Sequence, residues 1–381
     1  MEPEPFVFQG KLSDFEKKIV EFLLVDAQMN GGDPNETLIY IYILLHRRLT
    51  QAQLTELTNF PKSKVSKITQ QLVAEGILKK EFIPGTHTNE YMLIQQPFEM
   101  NFVPVDQIIE SFREMSKFVD DTIKELLELP GKHRKDRNLL IWRLYDFSRY
   151  TRGCTQILNF QKENSNLQKF VFTDKTYELI TPAFREEMRE YLFNLDKSST
   201  YLIDFQDEDI QKIEAKIIKF LLDHIVKEEK ESISRILAYF ITRGKLTQNS
   251  IQKLTDFSSG TISQTLRYLL KEKKIDQIPT SRIAGNEYYY TLESISLMLL
   301  HYHSSVYKDL IAWKPTFDEI KLQLNEHGND LLFTDGYFSI YTITDKILTI
   351  FFPKYEQYLS QHERLLEINE NAIFKEEKSI C

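Results

Sequence analysis

Leu49-Thr50-Gln51-Ala52-Gln53-Leu54-Thr55-Glu56-Leu57-Thr58-Asn59-Phe60-Pro61-Lys62-Ser63-Lys64-Val65-Ser66 returns without a gap as Leu246-Thr247-Gln248-Asn249-Ser250-Ile251-Gln252-Lys253-Leu254-Thr255-Asp256-Phe257-Ser258-Ser259-Gly260-Thr261-Ile262-Ser263, at a constant offset of 246 − 49 = 197. The match runs on through Leu72 and Leu269, then Glu75 and Glu272, to Asn89-Glu90-Tyr91 and Asn286-Glu287-Tyr288. Leu54 and Val65 are replaced conservatively by Ile251 and Ile262, so the apolar pattern is retained. An ungapped repeat with its apolar spacing intact is a duplication, and it sets the architecture.

Outward from this centre, Lys18-Ile19-Val20-Glu21-Phe22-Leu23-Leu24 is similar to Lys216-Ile217-Ile218-Lys219-Phe220-Leu221-Leu222, so an amphipathic helix precedes each copy. Downstream, Phe147-Ser148-Arg149-Tyr150-Thr151 is similar to Phe338-Ser339-Ile340-Tyr341-Thr342, at an offset of 338 − 147 = 191. A loop is therefore expected to be shorter in the second copy. Lys162 to Gln206 has no counterpart; its start at Glu163-Asn164-Ser165-Asn166 reads as a linker, and Thr181-Pro182 opens a short helix over Ala183–Leu195. The chain divides in sequence into a first domain at 1–161, a linker with a short helix at 162–206, and a second domain at 207–381.

Inside the first repeat, Leu38–Leu45 is apolar enough for a buried helix, and Thr50 offers a hydroxyl to cap a helix over Gln51–Thr58. Asn59-Phe60-Pro61 breaks it. A second helix over Lys62–Glu75 places Val65, Ile68, Leu72 and Val73 on one face and leaves Lys62, Ser63, Lys64, Ser66, Lys67, Thr69 and Gln70 on the other, until Gly76 stops it. Ile77–Ile83 and Asn89–Ile94 are strand-like and flank the turn Pro84-Gly85-Thr86-His87-Thr88. The second repeat reads alike: Thr247 caps Gln248–Thr255, Ser258 caps Ser259–Lys273, and a hairpin spans Ile275–Leu292 around Ser281-Arg282-Ile283-Ala284-Gly285. Two helices across a tight break followed by a hairpin is the winged helix-turn-helix order. The expected class is mainly α with small β-hairpin wings, as tandem winged helix-turn-helix domains whose long flanking helices form a pseudo-two-fold, pseudo-dimer arrangement.

The segments Phe60-Pro61-Lys62-Ser63-Lys64-Val65-Ser66 with Asn89-Glu90-Tyr91, and Phe257-Ser258-Ser259-Gly260-Thr261-Ile262-Ser263 with Asn286-Glu287-Tyr288-Tyr289, resemble the recognition helix and wing of MarR-superfamily regulators, nearest to the GbsR type. The resemblance implies that the flanking helices pack as a dimerisation region, that the second helix of each module enters the major groove, and that the wing reaches the adjacent backbone or minor groove. The chain departs from the family in carrying two modules rather than one, and Lys273 stands where the first copy has Gly76.

A net charge of −8 argues at first against a nucleic-acid partner, whose phosphates are met by Lys and Arg. The charge is uneven, however. His46–Glu90 carries seven Lys/Arg against four Asp/Glu (+3) and Arg243–Glu287 eight against four (+4), which leaves −8 − 7 = −15 for the rest. Cations thus gather in the two segments expected to meet phosphate. Lys62, Lys64, Lys67, Lys79, Lys80 and Lys271 suit phosphate contacts, and Ser63, Ser66, Thr69 and Gln70 suit base edges. In the second copy Ser259, Thr261, Ser263, Gln264 and Arg267 hold the corresponding face, with Arg267 suited to guanine. His87 and Arg282 fall at the wing tips, where groove insertion and a plain solvated loop are both open readings.

The expected function is sequence-specific binding of double-stranded DNA as a non-enzymatic transcriptional regulator in the cytoplasm or nucleoid, without a cofactor or metal. Further homodimerisation is open. A rival reading is a tandem winged-helix scaffold that grips partner proteins in chromosome-organising or membrane-remodelling complexes; a third is chromatin association with little sequence preference. No phosphate-binding loop, nucleophile elbow or metalloprotease motif occurs, and no apolar run approaches the roughly 20 residues that cross a bilayer. Cys154 and Cys381 are too few for a disulfide framework. His301-Tyr302-His303 has the wrong spacing for two ligands on one helix face. The aromatic sets Trp142, Tyr145, Tyr150 and Trp313, Tyr337, Tyr341 are candidates for an effector cage, since aromatic faces attract quaternary ammonium and the family resembled includes choline-responsive repressors; ordinary core packing is the competing reading.

Overall fold

The computed structural model of the chain describes residues 8–29, 32–94, 105–130, 134–164, 167–173, 179–193, 205, 207–225, 230–279, 288–327 and 336–378. It is mainly helical with two small antiparallel sheets. The first repeat opens with α1 (Lys11–Met29) and α2 (Pro34–His46). α2 starts where the Asp33 carboxylate accepts from the backbone N–H of Asn35 and Glu36 at 2.8 and 2.9 Å, with Pro34 in the first turn. β1 (Arg48–Thr50) leads into α3 (Gln51–Thr58), whose start is fixed reciprocally: the Gln53 N–H donates to Thr50 Oγ1 and the Thr50 N–H to Gln53 Oε1. α4 (Lys62–Ala74), β2 (Leu78–Phe82) and β3 (Asn89–Leu93) follow, and the sheet order is β1-β3-β2.

Next come α5 (Val105–Glu128), α6 (Arg134–Glu163) and α7 (Pro182–Phe193). The second repeat is built in the same order: α8 (Glu208–His224), α9 (Glu231–Arg243), β4 (Lys245–Thr247), α10 (Gln248–Thr255), α11 (Ser259–Lys271), β5 (Asp276–Pro279) and β6 (Tyr288–Thr291), with sheet order β4-β6-β5. α12 (Ile295–Ile311), α13 (Lys314–Glu326) and α14 (Tyr337–Lys346) end the chain with α15 (Phe352–Lys378), which α14 enters through a π turn at Ile347–Phe351. The wide turn sits just before Pro353, which has no N–H for an α-helical bond.

Backbone angles repeat as closely as the elements do. Arg47 and Gly244, Asn59 and Asp256, and Gly76 and Lys273 are each 197 apart, and the φ values of the pairs are 66° and 73°, 56° and 57°, and 74° and 53°. The hairpins differ in one respect. Leu49 pairs with Tyr91 but Leu246 pairs with Tyr290, an offset of 290 − 91 = 199, so the second hairpin holds two more residues than the ungapped sequence match implies. A two-residue slip keeps the same strand face turned inward, which is why it leaves the apolar pattern intact.

By contacts the chain forms two compact units, one of residues 1–104 with 305–360 and the other of 105–304 with 361–381. Each unit joins one repeat to helices that follow the other. In the first, Phe22 of α1 lies edge-on to Phe317 at 4.9 Å and near Phe352 at 5.5 Å, and Tyr355 donates its hydroxyl hydrogen to Asp26 at 2.7 Å. A separate cluster of Ile39, Ile43, Leu49, Leu54, Val65, Leu72, Leu78 and Tyr91 holds α2, α3, α4 and the sheet together.

In the second unit α6 is the central helix. Arg143 is 1% exposed and donates to the carbonyls of Ile241 at 2.9 Å and Phe240 at 3.3 Å, where α9 ends, and to that of Glu293 at 2.8 Å. One turn on, Asp146 accepts from the Ile295 N–H and from Ser296 Oγ at 2.6 Å, at the start of α12. A cation at a helix C-terminus and an anion at an N-terminus both oppose the backbone dipole's charge. Burial pushes the Arg143 guanidinium down to about 10, and it stays charged at neutral pH. The burial phase of the tails fits an offset of 190, pairing Phe147 with Tyr337, Tyr150 with Ile340 and Ile157 with Ile347, rather than 191, because Phe338 is 58% exposed.

Candidate nucleic-acid interface

Each repeat places a polar helix face beyond a tight turn. In the first, Thr58 Oγ1 donates to the Leu54 carbonyl at 2.6 Å and accepts from the Phe60 N–H at 3.2 Å, around the left-handed Asn59. In the second, Thr255 does the same with Ile251 at 2.7 Å and Phe257 at 3.4 Å, around Asp256. The hydroxyl satisfies backbone groups that the break would otherwise strand. α11 is also capped by Ser258, which accepts from the Thr261 N–H at 3.2 Å, whereas Pro61 gives α4 no side-chain cap.

On α4 the inward face is Val65, Ile68, Thr69 and Leu72, and the outward residues are Lys62, Ser63, Lys67 and Gln70, with Ser66 half-buried. On α11 the inward face is Ile262, Thr265, Leu266 and Leu269, and Ser259, Gln264, Arg267 and Lys271 are exposed beside half-buried Thr261 and Ser263. Thr69 corrects the sequence reading. It is fully buried, donates to the Val65 carbonyl at 2.9 Å and accepts from Gln51 Nε2 at 3.3 Å, and so cannot reach a base edge. The internal hydroxyl bond lets a polar residue occupy the apolar stripe.

Lys64 is likewise engaged: its Nζ donates to Asn35 Oδ1 at 2.6 Å and lies 3.8 Å from the centre of the Phe60 ring. Lys79 is paired with Glu81 at 2.7 Å, and that bond holds the Glu81 carboxyl below its usual range. Lys80 and His87 are exposed, the latter on the hairpin turn closed by Ile83 N–H to Thr88 O. Ser259 accepts from Gln248 Nε2 at 3.0 Å. Arg282 and the tip of the second hairpin lie outside the described residues.

Burial also revises the charge argument. Of the second window's eight cations, Arg243, Lys245 and Lys274 are buried: Arg243 holds Glu214, Lys245 lies over the Tyr289 ring at 4.3 Å, and Lys274 over Tyr302 at 4.7 Å. Sequence counting gave the second repeat the larger positive charge; the first keeps more of its cations on the surface.

The aromatic sets fall in different units, Trp142, Tyr145 and Tyr150 on α6 and Trp313, Tyr337 and Tyr341 in the first unit. Tyr145, Tyr150 and Tyr337 are buried. The face of Tyr145 carries Arg185 at 5.7 Å and that of Tyr341 carries Lys321 at 3.3 Å, so protein cations occupy two positions a ligand cation would need. His301 points to Glu370 at 3.7 Å, while His303 stacks on Tyr150 and faces His362. Among the described residues no three His, Cys, Asp or Glu side chains are grouped to hold a metal. Nor is any helix there long and apolar enough to cross a membrane.

Sequence reasoning missed two buried clusters at equivalent positions. Glu16 Oε1 lies 2.6 Å from His46 Nε2, with Phe8 stacked on the imidazole at 4.2 Å. Glu214 takes Nε and Nη2 of Arg243 at 2.8 and 2.7 Å, with Phe205 under the guanidinium at 4.6 Å. Phe8 and Phe205, and His46 and Arg243, are each 197 apart, while Glu16 and Glu214 are 214 − 16 = 198 apart, the offset of the helix match Lys18 to Lys216, so following the repeat upstream through that one-residue shift would have exposed them. No protein-family model matches the chain, and no curated protein is detectably similar to it in sequence.

Proposed function

We propose that each repeat is a winged helix-turn-helix module and that the chain is a sequence-specific regulator of transcription that binds double-stranded DNA as a single-chain pseudo-dimer. One observation carries this reading: after the same left-handed turn, both repeats hold a helix with apolar residues inward and an exposed row of Lys, Arg, Ser and Gln at matched positions. Such a row combines phosphate partners with groups able to bond base edges, and each following hairpin supplies a second arm. Lys62, Lys67 and Lys80 are the phosphate contacts of the first module; Lys271 serves the second.

The test is fluorescence anisotropy of the full chain with a mixed-sequence duplex at several salt concentrations. Binding should weaken steeply with salt, and the double variant Lys62→Glu, Lys67→Glu should lose at least ~10-fold in affinity while its thermal unfolding is unchanged. Both residues are exposed and make no described ion pair, so the fold has no need of their charge. Duplex binding unaltered by the double reversal would refute this orientation of α4. Absence of salt-sensitive binding by the parent chain would leave protein partners as the better reading.

A further inference from the structure

Gln70 and Arg267 are equivalent, 267 − 70 = 197, and both are exposed on the outward face of their helices. Each is steadied in the same way. Gln70 Nε2 donates to Ser66 Oγ at 3.2 Å, and Arg267 Nη2 donates to Ser263 Oγ at 3.2 Å, the two serines again 197 apart. The repeat has thus kept a serine one turn before a long polar side chain while changing that side chain's chemistry. A serine hydroxyl in this place limits the rotamers of the longer group and lowers the entropy lost when it binds.

The bonds to serine leave the recognition atoms available. An amide nitrogen has two hydrogens, so Gln70 retains one N–H and its Oε1, the donor and acceptor that match N7 and the N6 amino group of adenine. The guanidinium carries five N–H donors and commits one of them to Ser263, which leaves enough for the pair that O6 and N7 of guanine accept. No other described hydrogen bond of either side chain competes for these atoms.

Resting on the DNA-binding reading above, we infer that Gln70 and Arg267 read the same point of two half-sites, Gln70 selecting adenine and Arg267 guanine. The chain's target is then a duplex whose two halves differ by design at that base pair. A homodimer cannot build this asymmetry, since both of its readers are the same residue.

The experiment is selection of preferred sequences from a random duplex pool by the full chain, followed by anisotropy on single-base variants. The parent should prefer A in one half and G in the other at the equivalent position, each wrong base weakening binding by about 5- to 150-fold. Arg267→Gln should change the G preference to A, Gln70→Arg should change A to G, and the double exchange should swap the halves. Ser263→Ala should reduce discrimination without changing the preferred base. Unchanged preferences in the exchanged chains, with salt-sensitive duplex binding retained, would overturn this inference and leave the DNA reading standing. Failure of the parent to bind any duplex would instead remove the DNA reading itself.

Discussion

The two repeats solve the same three backbone problems with different residues. Where the first has Arg47 in a positive-φ conformation the second has Gly244, and where the first has Gly76 the second has Lys273. Asn59 and Asp256 share the third position, both short polar residues that tolerate left-handed geometry. The buried clusters vary in the same manner: Glu16, His46 and Phe8 correspond to Glu214, Arg243 and Phe205. What persists across the duplication is a set of backbone angles and a buried acid–base contact under an aromatic ring. The residue meeting each requirement is free to change within its chemistry, and that freedom lets the two outward faces diverge.

Removing the acid from each cluster should produce the largest difference between the repeats. Glu214 accepts from Thr242 Oγ1 and from Nε and Nη2 of Arg243, which is 3% exposed, so Glu214→Ala should cost about 3–5 kcal/mol, whereas Glu16 meets His46 through a single described hydrogen bond and Glu16→Ala should cost less, about 1–2 kcal/mol. Denaturant unfolding combined with hydrogen exchange, followed separately in each repeat, measures both. Equal losses would mean that the two clusters are energetically interchangeable.

Acid should separate the units next. Burial first, and then the neighbouring His362, pushes the His303 imidazole from 6.5 down to about 3. A histidine whose folded value is depressed contributes fully above its unfolded value and loses that contribution as pH falls below it. Between pH 8 and pH 5 the unit holding His303 should therefore weaken by about 1–2 kcal/mol, with faster amide exchange along Ile295–Ser304. His303→Phe should flatten that part of the pH profile; an unchanged slope would place the acid response elsewhere.

The smallest effect concerns the turn after each α4-type helix. Lys273 holds φ 53° at an exposed position, so Lys273→Gly should stabilise by ~1 kcal/mol and raise the melting temperature, while Gly76→Lys should destabilise by a similar amount. Opposite signs at equivalent positions would sharpen the view that the angle, and not the residue, is what the fold retains.

Most of each repeat was legible because its signals are local. The caps at Thr50, Thr247 and Ser258, the break at Asn59 and the hairpin strands appear within two or three residues of where the sequence puts them, while the third strand of each sheet, Arg48–Thr50 and Lys245–Thr247, goes unread because three residues are too short to show a period. Local hydrogen bonding and apolar period determine those features. The outward rows were mostly legible for the same reason. Thr69 was misplaced because a threonine that bonds to its own helix looks, in sequence, like one facing water.

The sequence alone, then, determined the duplication, the order of elements in each copy and the contrast between Gln70 and Arg267, since these follow from spacing and residue type along a short stretch of chain. Which helices complete which repeat, how many cations of the second copy reach the surface, and the two extra residues of the second hairpin emerge from long-range packing. These depend on which apolar faces meet across hundreds of residues, and on the desolvation each buried charge accepts there, neither of which is written in local pattern.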